Sequence, residues 1–437
     1  MPPSSTPDLI IRALDEAARA AGGDGQPRPL AELRAGAAVR LAELGAPTRK
    51  LETWKYTDIR PILARDYRFA GRAGAGRATR AHVDAARVPG LDAHLLVFVD
   101  GVYDADLSDA PAGAGVVAGS LREALAHGRP EHFAALADSR DSAFVALNES
   151  FELDGPYVRV EAGRELERPI EILHLATATE PTFAQSRGLV VVEAGAHARV
   201  VEIHAGPAPA GATASFGNVV TEVVVGDDAM LEHHRIQHEG DAASQVNTVH
   251  VGQGARSTYR TGTWTFSGEL IRNDLTVTLR GENAETNLAG LYLLHGKRHV
   301  DNRTLLDHAA PGCMSDELYR GIVFDRGVGV FNGKVMVRRE GQQTNAYQQS
   351  QGVVVSDDAK HYSKPELEIY ADDVKCSHGS TTGKVDPEAM FYLRSRGIAF
   401  DRARALLLTA FAHDVVERVG IEPLRLYLDR LIDAGLS

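Results

Sequence analysis

Cysteine is almost missing from this chain: Cys313 and Cys376 are the only two thiols among 437 residues. That excludes a disulfide-stapled fold, and with nothing pointing to export a Cys313–Cys376 bridge is not expected. No Cys-x-x-Cys occurs, so the chain alone cannot enclose a cluster with four thiolates. Long apolar runs are missing too. The opening stretch MPPSSTPDLIIRALDEAARAA holds none of the length a signal peptide or membrane span needs. The expected location is therefore the reducing cytoplasm, where both thiols stay available. Basic side chains are outnumbered, 47 against 59 acidic ones, for a formal net charge of −12. That balance disfavours partners such as nucleic acid or a membrane surface. Also absent are Gly-x-Ser-x-Gly, His-Glu-x-x-His and the dinucleotide fingerprint. The run GSTTGKV, Gly379 to Val385, only mimics a phosphate loop. It has three residues between its glycines instead of four, and Val385 stands where a Mg²⁺-binding hydroxyl belongs. It reads as a Gly-rich crossing into a helix, and no ATP hydrolysis by this chain is expected.

What is present is a chain with 44% apolar residues, enough core for two to three domains or one elongated body. Its first part reads as helical. One helix is expected near Asp8 to Ala20. A second starts at Pro29, with Leu30, Leu33, Ala37, Leu41 and Leu44 at spacings of three and four. The Gly/Pro-rich stretch 22–27 separates them. An aromatic pair, Trp54 and Tyr56, follows within RKLETWKYTDI. LLVFVDGVYDADL then reads as two strands around Asp100-Gly101, a strong hairpin signal. Residues 117 to 150, including LREALAHG and EHFAALAD, read as helical again.

From about Tyr157 to Tyr370 nearly everything reads as strand, with an internal repeat. β-Branched runs (LVVVEA, TEVVVG, NTVHVG, TVTLRG) lead into Gly-x-x-Ala turns at Gly195–Ala198, Gly226–Ala229, Gly252–Ala255 and Gly281–Ala284. RTLLDHAAPG, KVMVRREG and GVVVSDDA echo them. A propeller blade needs more residues per unit. A β-solenoid with one coil per repeat fits, each coil burying its inward residues on its neighbours. A β-sandwich with coincidental turns is the alternative. Helices close the chain: Asp386-Pro387-Glu388 is a capped helix start, Asp401 can cap the next helix, and a last one runs from about Glu422 to Asp433. Helical segments at both termini could cap the solenoid ends, or the C-terminal ones could face a partner.

Among candidate ligands, Glu232, His233, His234 and His238 cluster, but on a strand His233 and His234 face opposite sides. They read better as surface or inter-coil histidines, and His295 and His299 share that weakness. Cys313, after Pro311-Gly312, reads as a small buried residue. Cys376 and His378 differ. On extended backbone they project to the same side, a soft thiolate beside an imidazole, ligand types suited to iron or zinc. Two ligands are an incomplete set that another chain would have to finish.

The segment KCSHGSTTGKVDPEAMFYLRSRGI, with LETWKYTDI and NRTLLDHAAPGCMSDELYRGI, resembles the SufB/SufD family, the scaffold subunits of the Suf iron–sulfur cluster assembly machine. With only two cysteines the chain resembles the SufD branch more than the SufB branch. The resemblance implies a mainly β protein: a right-handed parallel β-helix core over 156–384, after an N-terminal helical region with a hairpin (1–155) and before a C-terminal helical domain (385–437). It implies a non-catalytic scaffold in a complex with SufB, paired through the last coils, and with the ATPase SufC, docked on the C-terminal helices. The docking positions would be Asp386, Pro387, Met390, Phe391, Tyr392, Arg394, Arg396 and Gly397. His378 matches the family histidine at the SufB interface implicated in cluster formation, and Cys376 matches its neighbouring cysteine. Iron or a cluster would be held there only transiently, with no cofactor bound tightly by the isolated chain. A homodimer of the isolated chain stays open. Two rival readings are a β-helix enzyme acting on polysaccharide, with Asp301, Asp307, Asp316 and Glu317 as its available acids, and a stand-alone metal-binding protein.

Overall fold

The computed structural model describes residues 8–20, 28–70, 78–111, 113, 115–151, 154–206 and 213–436. The separator at 22–27 lies outside them. The repeat forms a β-solenoid of about seven turns. One sheet stacks Pro156–Val160, Thr182–Val192, Ser215–Val225, Ala243–Gln253, Leu270–Leu279, His299–His308, Val328–Val337 and Lys360–Ile369. The other stacks Ile170–Leu175, His197–Ala205, Met230–His238, Thr258–Thr265, Glu285–Leu294, Met314–Val323, Thr344–Val354 and Val374–Gly383. Neighbours within both stacks are parallel.

The turn between the sheets explains the repeat. Gly163, Gly195, Asp228, Arg256, Asn283, Gly312 and Gln343 all have positive φ. The last six fall two residues before the mutually stacked His197, Met230, Thr258, Glu285, Met314 and Asn345. A left-handed residue here turns the chain sharply, which suits Gly, Asn and Asp. The next residue in each coil points into the core, and it is always small: Ala196, Ala229, Ser257, Ala284, Cys313 and Thr344 are all buried. Cys313 therefore occupies the alanine position of its coil, as its reading as a small buried residue expects. The Gly-x-x-Ala pattern is in register at Ala229 and Ala284 but slips at Ala198 and Ala255, where Ala196 and Ser257 hold the stacked position instead. Gly281 marks how closely the coils approach: a Cβ there would sit 2.0 Å from the backbone nitrogen of Ala255.

The terminal helices do not plug the solenoid ends. The N-terminal ones, Asp8–Ala20, Arg28–Leu44, Arg60–Leu63 and Ala143–Glu149, pack outside the first sheet, where Leu41, Trp54, Ile62 and Phe144 meet Phe183, Phe216 and Val246. The LETWKYTDI segment is pinned there. The Arg272 guanidinium lies 3.8 Å from the centre of the Trp54 ring, and the Thr57 hydroxyl donates to Asp301 at 2.6 Å. Phe400–Val416 and Glu422–Leu436 instead cover the outside of the second sheet, with Leu408, Val415, Leu424 and Leu428 in the same cluster as Trp264, Leu291 and Ile322. These helices bury their apolar stripes on a sheet face, which offers far more apolar area than a coil end.

The beginning of the solenoid is closed by strands. His94–Val99 and Val102–Tyr103 form the expected hairpin around Asp100 and Gly101, both with positive φ. His94–Val99 stacks on Ile170–Leu175, while Val116–Ser120 pairs antiparallel with Pro156–Val160. At the far end, Lys360–Ile369 and Val374–Gly383 are each paired on one side only.

Three local expectations need correction. Val116–Ser120 is a strand, and EHFAALAD is not helical but a turn with positive φ at His132 and Ala134. Its backbone is drawn onto the buried carboxylate of Glu222, which accepts the N–H groups of Ala134, Ala135, Leu136 and Ala137 at 2.7–3.0 Å. GSTTG is the second half of the last strand, not a crossing. Asp401 is in the first turn of its helix, whose N-cap is Ala399, and its carboxylate accepts from Arg404 instead. Asp386 does cap Pro387–Ser395, accepting from the Glu388 N–H at 2.9 Å.

Candidate functional site

Among the described residues, the solenoid is left unfinished at its last coil, and Cys376 and His378 sit on it. They occupy Val374–Gly383, in register with Ala346 and Gln348 of the strand before. Their i, i+2 spacing puts both side chains on the core-facing side. Cys376 packs half-buried against the end of the main core, while His378 is exposed. In every earlier coil the equivalent positions are covered by the next coil; here nothing follows. Burial pushes the Cys376 thiol up, partly offset by a hydrogen bond with the Ala346 backbone. It therefore stays protonated at neutral pH until a metal or a partner's charge draws the proton off. The strand's free edge exposes unpaired backbone N–H and C=O groups, which fit it to extend onto another chain's strand.

Behind His378 the inward column continues through Gln348 to Glu317. Gln348 Nε2 donates to Glu317 Oε2 at 2.7 Å. Burial pushes the Glu317 carboxyl up to about 7, against hydrogen bonding by Thr304 and Gln348. Beyond this coil the chain leads into the helix Pro387–Ser395, which buries no residue at all. Phe391 is 75% exposed and Tyr392 57%. Arg396 lies over the Tyr392 ring, and Arg394 and Arg404 over Phe400, each within 6 Å. Unpaired aromatics beside stacked arginines have the composition of a protein–protein contact. Met390 is half-buried, and Gly397, with φ +84°, ends the helix.

The SUF system FeS cluster assembly SufBD core domain matches residues 174–411, and the SufBD protein N-terminal region matches residues 14–172. The chain belongs to the SufBD family. It is 32% identical over 431 residues to an iron–sulfur cluster assembly SufBD family protein of Synechocystis sp., covering 96% of this chain and 93% of that one. It is 30% identical over 389 residues to the iron–sulfur cluster assembly protein SufD of Escherichia coli, covering 88% of each. SufD of Bacillus subtilis is 22% identical over 290 residues, 66% of each chain. The resemblance read from the C-terminal motif thus extends over nearly the whole chain, and the family is one of iron–sulfur cluster assembly.

Within this SufBD protein the other sequence candidates have structural partners. His233 points into the solenoid toward Glu202, and His234 points out, 2.8 Å from Glu232, the opposite facing that alternation required. Glu232 in turn accepts the Gly420 N–H at 2.7 Å, tying the C-terminal helices to the sheet. His295 contacts the Gly435 carbonyl and His299 the Thr57 hydroxyl. Asp301 is held by Arg272, Asp307 by Arg338 and Asp316 by Arg418, while Glu317 is interior. Three of these acids are thus engaged in ion pairs and the fourth is inside the solenoid. Both cysteines are free.

Of an interior cluster, sequence reasoning singled out only His233. His174, Glu202, His204, His233 and Arg235 come from three successive coils and are all buried. Burial would raise the Glu202 carboxyl, but the Arg235 charge and the three imidazoles hold it well below its usual range. Burial and the neighbouring His174 push His204 down to about 4. Only aligning the repeats coil by coil would have brought these residues together.

Proposed function

We propose that this SufBD protein is a non-catalytic scaffold subunit of a SufB–SufC–SufD-type complex. Its last coil pairs with SufB, and His378, with Cys376, lends ligands to a site that the partner completes or through which iron enters. The observation that carries this reading is the open coil: the unfinished end of the solenoid bears an imidazole and a thiol on the same side. A half-site of one nitrogen and one sulfur ligand cannot hold a cluster tightly alone. Completed by a partner's thiolates it holds iron in a shared and labile way, and imidazoles do replace thiolates in some clusters. Lability serves an assembly scaffold, since its product must leave. The exposed Phe391–Tyr392 helix is the docking element for the SufC ATPase. ATP-driven motion of that partner would strain the shared interface through a two-state element. No helix among the described residues is long and apolar enough to cross a membrane, and the proposed setting is the cytoplasm.

Coexpression with SufB and SufC tests the site. His378→Ala should copurify in the same complex, with several-fold less iron and acid-labile sulfide per complex. Full cluster content in that variant would remove His378 from the site. A stand-alone metal protein would instead bind iron tightly at Cys376 and His378 without SufB, which titration of the isolated chain measures.

A further inference from the structure

A second imidazole stands at the open end, on the other strand of the last coil. His361 lies on Lys360–Ile369, and both of its ring nitrogens are engaged. Nε2 is 2.6 Å from the Tyr292 hydroxyl, and Nδ1 is 2.7 Å from the Thr382 hydroxyl. Tyr292 is fully buried, His361 is half-buried, and Thr382 is exposed on the last strand. Glycines make the room for this chain of contacts. Tyr292, Gly321, Gly352 and Thr382 are successive register partners, one per coil. A Cβ at Gly321 would strike the Tyr292 ring, and one at Gly352 would strike the His361 imidazole. A Cβ at Gly329, the register partner of His361, would sit 2.6 Å from Tyr292 Cε2. Three side chains are thus missing along the line by which the phenol reaches the last coil.

The proton order along the chain follows from burial. The Tyr292 hydroxyl has no other hydrogen-bond partner among the described residues. Burial raises the pKa of that phenol, so it keeps its proton. A buried O–H that only accepted would leave its proton unpaired, so Tyr292 donates to His361 Nε2. Burial pushes His361 down to about 4, and at neutral pH its ring carries a single proton. That proton sits on Nδ1 and is donated to Thr382 Oγ1. The Thr382 hydroxyl then keeps its own proton to donate, and no acceptor for it occurs among the described residues.

We propose that Thr382, positioned by Tyr292 and His361, is a specificity determinant of the coil-end contact, its hydroxyl donating to an acceptor oxygen on the core-facing side of the partner's terminal strand. This role rests on the pairing of the last coil with SufB proposed above. A strand with an apolar side chain at that position would bury the hydroxyl unpaired, which selects against it. His378 and Thr382 are four residues apart on one side of the strand, roughly 13 Å at about 3.3 Å per residue. One ligand shell does not span them. Thr382 therefore acts on partner choice and His378 on cluster content.

The test is calorimetric titration of the full-length chain with SufB. Thr382→Val keeps the side chain's shape at an exposed position and removes only the hydroxyl. It should melt with the wild type and bind SufB about tenfold more weakly, the cost of covering an acceptor that has lost its donor. Thr382→Ser should restore wild-type affinity. At saturating SufB, with SufC present, the Thr382→Val complex should carry wild-type iron and acid-labile sulfide. Nitrogen NMR of the wild-type chain at pH 7 should show His361, assigned by its loss in His361→Gln, protonated on Nδ1 alone. Unchanged affinity in Thr382→Val, an equal loss in Thr382→Ser, or a proton on Nε2 of His361 would each overturn the proposal. A wild-type chain that does not bind SufB would remove the SufB reading and this role together, whereas binding that Thr382→Val leaves intact removes this role alone.

Discussion

Glu222→Gln isolates the interaction that bends the N-terminal region onto the solenoid. The Glu222 side chain is fully buried and pairs with Arg187 at 2.7 Å; Arg187 is itself 2% exposed. Three backbone N–H groups converge on Oε1, and Ala134 N–H and Arg187 converge on Oε2. A glutamine keeps one carbonyl oxygen for the three-way contact. Its NH₂ then faces two donors, and a buried guanidinium loses its counter-charge. Breaking one side of a buried pair costs about 3–5 kcal/mol. The pH dependence has a definite sign. Burial would raise the Glu222 carboxyl, but Arg187 and the backbone N–H groups win and hold it below 4.5. Its contribution is therefore present in full above about pH 4.5 and is lost as pH falls through the lower folded value. Urea unfolding at pH 7 should show the full deficit of Glu222→Gln, and the gap to wild type should narrow below pH 4.5. Arg187→Met/Glu222→Gln should lose less than the two single changes together, since each single change already breaks the pair. A Glu222→Gln protein within about 1 kcal/mol of wild type at pH 7 would refute this account of the 131–138 turn.

Glu317 runs the opposite way. With its folded value raised to about 7, it holds a proton that the unfolded chain releases, so wild-type stability should fall as pH rises from about 4.5 to 7. Glu317→Gln should flatten that decline and exceed wild type at pH 8 in thermal melts, because Gln348 can turn its unpartnered Oε1 toward the new amide. The two thiols should separate kinetically. Half-buried Cys376 should react with a thiol reagent in the native chain, slowly because burial raises it, and Cys313 should react only on unfolding. Two equally fast thiols by mass spectrometry would contradict the stacked-core position of Cys313. Phe391→Ala should cost the complex its SufC ATPase in pull-down while SufB is retained; unchanged SufC recovery would move the docking surface elsewhere.

Local patterns carried a good deal of this architecture. Val/Ile runs ending in glycine wrote the coils, Asp100-Gly101 wrote the hairpin, and Asp386-Pro387 wrote the helix start, because turn and cap chemistry acts over four or five residues. Position Cys313 was legible as a small buried residue for the same reason. EHFAALAD has helical periodicity, yet the acceptor that overrides it, Glu222, lies more than 80 residues away. Asp401 looked like a cap because capping residues also favour the first helical turn.

By itself, then, the order of residues determined that strands repeat, where they turn, and that a thiol and an imidazole share one side of the last strand. Only the tertiary structure decided that this strand is left with one edge unpaired, that most of the terminal helices clothe the sheet faces, and that His174, Glu202 and His204 meet inside. Stacking brings together residues about one coil apart, and small variations in coil length hide that meeting from any fixed spacing in the chain.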